Sequence, residues 1–455
     1  MTNFIKFINH ASVVISNKNR SILTDPWYHG TAFDDGWSLL YENEKEKIKS
    51  LLKKIDYIWI SHEHPDHFSI PFFKLYEEDI RENSIKFIFQ KTRDGRVIDY
   101  LKYQKFEYVE LDDNQPLNID RNFEIKIQKS DFYDSALIVN IDGTKIFNLN
   151  DCPLNDKKDL YELKKLYGSC DFLLTQFSYA AWKGGKGNLE WRQKAANEKL
   201  KTIEMQSQIL EAKYVIPFAS FIYFSDYYNS YLNDSVNTPR GVIEKLKTQS
   251  EIFFLKPYDV LYLNKPEKND NSLLFWDKQY ESVKSKLPNL IIKADKQYNI
   301  TELERAFKKL RNQIFIKNSY LFCKFLSIFP FLKIFKAINI YLEDLDKTVE
   351  IDLVNDVFQE INLNTADIKM RSKSLFLIFT QGYGFDTLTV NGCFEEIKKN
   401  GFIKMTQSLA LGNLNNMGIF LNLKILFDMK VIILFIKKIV SVNKKLNYKY
   451  IQTIE

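Results

Sequence analysis

Paired cysteines are missing. The four in the chain, Cys152, Cys170, Cys323 and Cys393, stand far apart with no CxxC among them, which argues against a disulfide framework or a structural zinc knuckle. Histidine is also scarce, with five in 455 residues and none after His67. Long apolar runs free of charge are absent: "SYLFCKFLSIFPFLKIFKAINIYL" (319–342) is broken by Lys324, Pro330, Lys333 and Lys336, and "IFLNLKILFDMKVIILFIKKIV" (419–440) by lysines and Asp428. A membrane-spanning helix wants roughly 20 residues nearly free of charge. The first stretch therefore reads as a buried or interfacial helix, and core packing or reversible attachment to a membrane surface covers both. The opening "MTNFIKFINHASVVI" alternates like a strand and lacks the basic region, apolar run and small-residue cleavage site of a leader, so the cytoplasm is the expected compartment. No basic tract interleaved with aromatics stands out in the first half, which argues against a nucleic-acid partner. A GxSxG elbow is missing too, and with it support for a serine hydrolase.

What is present suits a soluble globular protein: 45% apolar and 27% charged residues. The net charge of +6, from 64 basic and 58 acidic side chains, is spread along the chain. Its length calls for two or three domains. From residue 4 to about 265, strand-like runs such as "SVVIS", "YIWIS", "KFIFQ", "ALIVNI" and "YVIPFA" alternate with helical or turn segments, an α/β pattern. Asp142-Gly143 between two β-prone runs predicts a hairpin, and 188–212, free of internal Pro and Gly, predicts one long helix. The polar run "NKPEKNDNS" (264–272) reads as a linker. The expected division is a domain over 1–265 and a helix-rich α+β accessory region over 266–455, with strand-like runs in "KTVEIDLV", "ADIKMRS", "LFLIFTQ" and "DTLTVNG".

The chemistry concentrates in "YIWISHEHPDHFSIP" (57–71). His62, His64, Asp66 and His67 follow an apolar strand, and strand ends are where α/β sheets place their sites. Residues two apart in extended chain point to one side, so His62 and His64 face together, while Pro65 redirects the pair that follows. Imidazole and carboxylate ligands suit zinc, iron or manganese, singly or as a pair, and the metal brings the pKa of bound water towards roughly 7. Downstream, "WKGGKGN" (182–188) precedes the long helix, and its amides with Lys183 and Lys186 could receive a phosphate.

The HxHxDH string, with an Asp after another apolar run in "KIFNLNDC", resembles the metallo-β-lactamase superfamily. That resemblance implies an αββα sandwich over 1–265 and makes Asp151 the residue that bridges two metals. The segments "INHASVVI", "LTDPWYHGTAFDDGWSLL", "GGKGNLEWRQ" and "VIPFASF" are similar, in order, to the metallo-β-lactamase-like part of the CMP-N-acetylneuraminate hydroxylases. Those hydroxylases resemble a fusion with a Rieske domain, whose paired Cys and His motifs this chain lacks. An oxygenase reading would need an external reductase. The superfamily also supplies two further histidines downstream, near "QKSDFYDSALIV" and after "VIPFASF", where this sequence has none. Asp131, Asp134 or Asp226 could replace them as oxygen ligands, favouring a harder metal. His10 and His29 lie in segments that border the active-site mouth in the resembling family, which makes them second-rank candidates. Residues 340–416 weakly resemble a sterol-carrier-like lipid-binding domain.

The expectation is a hydrolase that acts on an ester or phosphoester, or a sugar nucleotide, through a metal-bound hydroxide. His62, His64, Asp66, His67 and Asp151 hold the metal, and Asp66 also orients the attacking water. Two alternatives stand beside it: an iron-dependent oxygenase, and a metal-poor protein that binds a sugar nucleotide or lipid without catalysis.

Overall fold

Strand alternation builds the core. Ile5 and Phe7 on strand Phe4–Asn9, with Val13 and Ile15 on Ser12–Ser16, enter one apolar cluster, whereas Ile8 and Val14 enter another. Trp59 joins the first cluster and its neighbours Ile58 and Ile60 the second. The computed structural model describes residues 3–422 other than 93–94, 131–132, 329–333, 410 and 417. It forms two compact units: Met1–Lys183, Leu189–Ser225 and Ser230–Leu290 in the first, Gly184–Asn188, Asp226–Asn229 and Ile291–Glu455 in the second.

Two seven-stranded mixed sheets make the first unit. In one, Ser21–Thr24, Tyr57–Trp59, Lys86–Gln90 and Tyr108–Leu111 run parallel. In the other, Thr144–Asn150, Phe172–Gln176 and Tyr214–Phe218 do the same. The first cluster fills the space between the sheets, where Ile125, Ile127, Leu137 and Val139 meet the side chains from the first sheet. The second cluster lies under helices Lys45–Leu52, Ile70–Leu75 and Arg96–Tyr103, through Ile48, Leu52, Phe72, Phe73, Val97 and Leu101. On the far side, helices Lys157–Tyr167 and Leu189–Ile209 pack together, and the longer one lies on strand Phe172–Gln176. The result is a four-layered αββα sandwich, the architecture that the resemblance implied.

The predicted hairpin is there: Asp134–Ile141 pairs with Thr144–Asn150, and Asp142 and Gly143 both have positive φ, as its two-residue turn requires. The predicted boundary is displaced. The first unit extends to Leu290 because helix Asn271–Lys286 delivers Trp276 into its core, stacked on Phe221 at 3.8 Å and donating its indole N–H to Leu255 O at 2.9 Å. The run 264–272 is thus a turn into that helix.

The second unit has a five-stranded sheet in the order Val357–Ile361, Lys347–Asp352, Ile338–Leu342, Ile368–Met370, Phe394–Glu396. Two expected strands are helices instead, Ser372–Thr380 ("SKSLFLIFT") and Gly384–Asn391 ("GFDTLTVN"). Leu375, Ile378 and Phe379 are buried at helical spacing, so tertiary packing overrides their β-propensity. A Cβ at Gly384 would overlap the Leu377 carbonyl, so only glycine lets the second helix start that close to the first. The 319–342 stretch is a helix, Tyr320–Ile328, and a strand, Ile338–Leu342. Of the 419–440 run, residues 423–440 lie outside the described residues.

Candidate metal centre

The parallel strands of both sheets end at one edge, and the candidate residues sit just beyond them. Ser61 N–H donates to Asp25 Oδ1 at 2.7 Å, tying the end of Tyr57–Trp59 to the end of Ser21–Thr24. His67 N–H bonds the His64 carbonyl at 2.9 Å, closing a turn over Pro65 and Asp66. Ser69 then caps helix Ile70–Leu75. Four non-glycine residues at these strand ends have left-handed backbones: His10 (φ 36°), Asp25 (38°), Asn150 (40°) and Ala219 (52°). Each such conformation costs on the order of 1–3 kcal/mol, and such strain gathers at functional sites.

Two donor clusters result, each with its ligand atoms within 4.8 Å of one another. His62, His64 and Asp151 form one, with His62 Nε2 2.9 Å from His64 Nδ1. The other is His10, Asp66 and His67, in which Asp66 Oδ2 lies 3.3 Å from both His10 Nε2 and His67 Nε2. Asp151 reaches towards both: Oδ2 is 3.9 Å from His62 Nε2, and Oδ1 is 3.6 Å from His67 Nε2. The second cluster is wholly buried, whereas His64 and Asp151 are partly exposed.

Supporting groups select the ring nitrogens. Asp25 Oδ2 lies 3.0 Å from His67 Nδ1, and Ser61 Oγ lies 3.0 Å from Nδ1 of both His62 and His67. A proton held on Nδ1 of either ring leaves Nε2 as the donor facing inward. Burial draws His62 well below the ordinary imidazole pKa, and the charge of His67 adds to this. His67 is drawn down by burial as well, yet Asp151, Asp66 and Asp25 hold it well above its usual value. Burial would raise Asp66 and Asp151, but both end below the carboxylate range, chiefly through His67.

The residues fit a divalent cation. His10 Nδ1, Asp66 Oδ1, His67 Nε2 and Asp151 Oδ1 are buried polar atoms without hydrogen-bond partners, and a cation between His67 Nε2 and Asp151 Oδ1, 3.6 Å apart, would relieve two of them. Three carboxylates, of Asp25, Asp66 and Asp151, lie 3.0, 3.3 and 3.6 Å from the ring nitrogens of His67, and so much negative charge around one ring marks the same demand for a cation.

The sequence candidates separate accordingly. His62, His64, Asp66, His67 and Asp151 come together, and His10 joins them, held where its carbonyl accepts the Ala219 N–H at 2.9 Å. Spacing could not promote His10 over His29, because both follow short strands. His29 belongs to neither cluster and instead bonds Tyr76 Oη at 2.7 Å. Asp134 lies behind His62, 3.8 Å from its Nδ1, on the side away from the donors, and Asp131 lies outside the described residues. Lys183 is buried, Lys186 pairs with Glu395 at 3.4 Å, and Asp226 meets Arg371 at 3.5 Å. None of these three is in a donor cluster. Asp25 was missed as a supporting residue, since "TDPW" reads locally as a strand-to-turn segment.

Residues 4–154 match the family described as the beta-lactamase superfamily domain. Cytidine monophosphate-N-acetylneuraminic acid hydroxylase of Xenopus laevis is 27% identical over 234 residues, which is 48% of this chain and 38% of that protein. The Mus musculus hydroxylase is 24% identical over 275 residues, 56% of this chain and 45% of that protein. The match thus spans less than half the length of these relatives. Among solved structures, CmlA, a diiron beta-hydroxylase from Streptomyces venezuelae, aligns over 57% of this chain and 54% of its own at TM-score 0.40 and 14% identity. Igni18, a metallo hydrolase from Ignicoccus hospitalis, aligns over 57% of this chain and 98% of its own at TM-score 0.36 and 15% identity. The HxHxDH string and Asp151 both lie inside the span, residues 4–154, that matches this family.

Proposed function

We propose that the first unit is a metal-dependent hydrolase acting on an ester or phosphoester, a small molecule such as a sugar nucleotide among the candidates. The observation that carries this reading is the placement of Asp151, whose two oxygens address separate donor clusters. The donors, four imidazoles and two carboxylates, suit zinc, iron or manganese. Bound there, a divalent pair supplies a nucleophile at neutral pH and Lewis acidity toward the ester or phosphoryl oxygen.

The chain's own residues do the rest. Asp25 and Ser61 fix the tautomers of His67 and His62. Asp66 would help hold the ion, and its Oδ1, buried and without a hydrogen-bond partner, would orient the attacking water and accept its proton. Access is through the partly exposed His64 and Asp151, with the rings of Phe33 and Tyr133 at 5.7 and 5.6 Å from that of His64. These rings narrow the approach.

A second reading, an iron-dependent oxygenase served by an external reductase, draws support from the similarity to the hydroxylases. Elemental analysis of anaerobically purified protein, with a His64→Ala control, tests both when combined with turnover of an aryl phosphodiester probe and oxygen uptake. Zinc or manganese with anaerobic turnover supports hydrolysis. Iron that falls in the control, with oxygen consumption, supports the oxygenase. A protein that takes up no metal after supplementation overturns both and leaves a binding role.

A further inference from the structure

Helix Tyr320–Ile328 wears its apolar residues outward. Cys323 and Ser327 are buried, while Leu321, Phe325 and Ile328, three and four residues apart, form an exposed stripe. Leu321 is 76% exposed and Ile328 64%, and Ile316, in the last turn of the preceding helix Ile300–Lys317, is 83% exposed. Surface helices ordinarily turn such a stripe to the core. Exposed apolar residues gathered in this way mark a surface made to be covered.

Charge indicates by what. Between Arg305 and Ile328 there are six basic side chains and no acidic one. Lys308 and Arg311 meet Glu304 and Asp356 at 2.7 and 3.5 Å, and Lys317 stands over the Phe420 ring at 5.9 Å. The described chain also finishes here: Ser319 N–H donates to Leu421 O at 2.8 Å, and Leu421 N–H to Asn318 Oδ1 at 2.7 Å. The sequence continues from that point through residues 423–455, with seven lysines against Asp428 and Glu455 and with the run "VIILFI" among them. Apolar residues interleaved with lysines are the composition of segments that lie in the plane of a bilayer interface, where anionic headgroups attract nearby basic side chains. A second copy of the same face would bring like charges together. No helix among the described residues is long and apolar enough to cross a membrane.

We propose that this face, Ile316, Leu321, Phe325 and Ile328 with the surrounding basic residues, docks the protein on an anionic lipid bilayer. The full chain is sedimented with vesicles of phosphatidylcholine containing about 30% phosphatidylglycerol, with pure phosphatidylcholine vesicles, and without lipid. The expected result is sedimentation with the anionic vesicles alone, reversed by raised salt, and weakened at least about tenfold in Leu321→Asp/Ile328→Asp. Both positions are exposed, and an unchanged circular dichroism spectrum checks that the variant folds. Lys309→Glu/Lys317→Glu should weaken binding without touching the apolar stripe. Failure of the wild type to sediment with anionic vesicles, or equal sedimentation of the Leu321→Asp/Ile328→Asp variant, overturns the proposal. So does lipid-independent self-association that this variant abolishes, which would assign the face to a second copy of the chain.

Discussion

A carboxylate behind an imidazole decides which nitrogen is offered to a metal, and here Asp25 does so for His67. Asp25→Asn keeps the shape but removes the charged acceptor, so metal affinity should fall about 10–100-fold in competition with a chromogenic chelator. Unchanged affinity would mean that Ser61 alone sets the tautomer. The same buried groups give the metal-free protein a defined pH dependence. His67 has a raised folded pKa, so its stabilisation is complete below about 6.5 and is lost as pH rises through that raised value. His62 has a depressed one, so the unfolded chain binds its proton more readily and stability falls as pH drops below about 6.5. Asp66 and Asp151 stabilise above about 4, and that contribution is lost as pH falls through their depressed values. Thermal melting in chelator should therefore peak near pH ~6.5. With metal, stability should keep rising above that pH, because the ion replaces the proton on His67; parallel curves with and without metal would remove His67 from the site. At this scale the HxHxDH string was legible because its chemistry is local. His10 could be ranked only second, because a hydrogen bond from Ala219, more than 200 residues away, holds its backbone.

Elements were read well where a short β-prone run is bounded by turn residues and poorly where a longer apolar run fits either state. The strands Phe4–Asn9 and Ser12–Ser16 are such short runs, buried on both faces and separated only by His10 and Ala11. "SKSLFLIFT" carries a nearly continuous apolar run, which is consistent with a buried strand or a buried helix, and only the packing of Gly384 against Leu377 distinguishes them. The domain boundary was misplaced for a related reason: the burial of Trp276 against Phe221, with Val283 of the same helix in the core, is a tertiary fact that the polar run before the helix does not announce. Removing that ring from the core is worth about 3–5 kcal/mol. A fragment of residues 1–290 should therefore unfold cooperatively and at higher urea than one of residues 1–265. Equal midpoints would show helix Asn271–Lys286 to be an ornament on the first unit.

Across the whole molecule, the layered first unit followed from alternating strands and helices. The second unit's sheet order required coordinates, since the parallel pair Ile338–Leu342 and Ile368–Met370 are separated by two antiparallel strands in sequence. Scarcity helped the site: with five histidines in the chain, four of them in two clusters left few rival arrangements. The unequal burial of those clusters has a consequence in time. An ion held by His10, Asp66 and His67 leaves only when the fold opens, whereas one held through the partly exposed His64 and Asp151 exchanges with solvent directly. Chelator should thus strip a loaded sample in two phases, and Asp25→Asn should hasten only the slower one. A ratio near one metal per chain after dialysis would then record how long the sample was washed, not how many ions the protein holds at equilibrium.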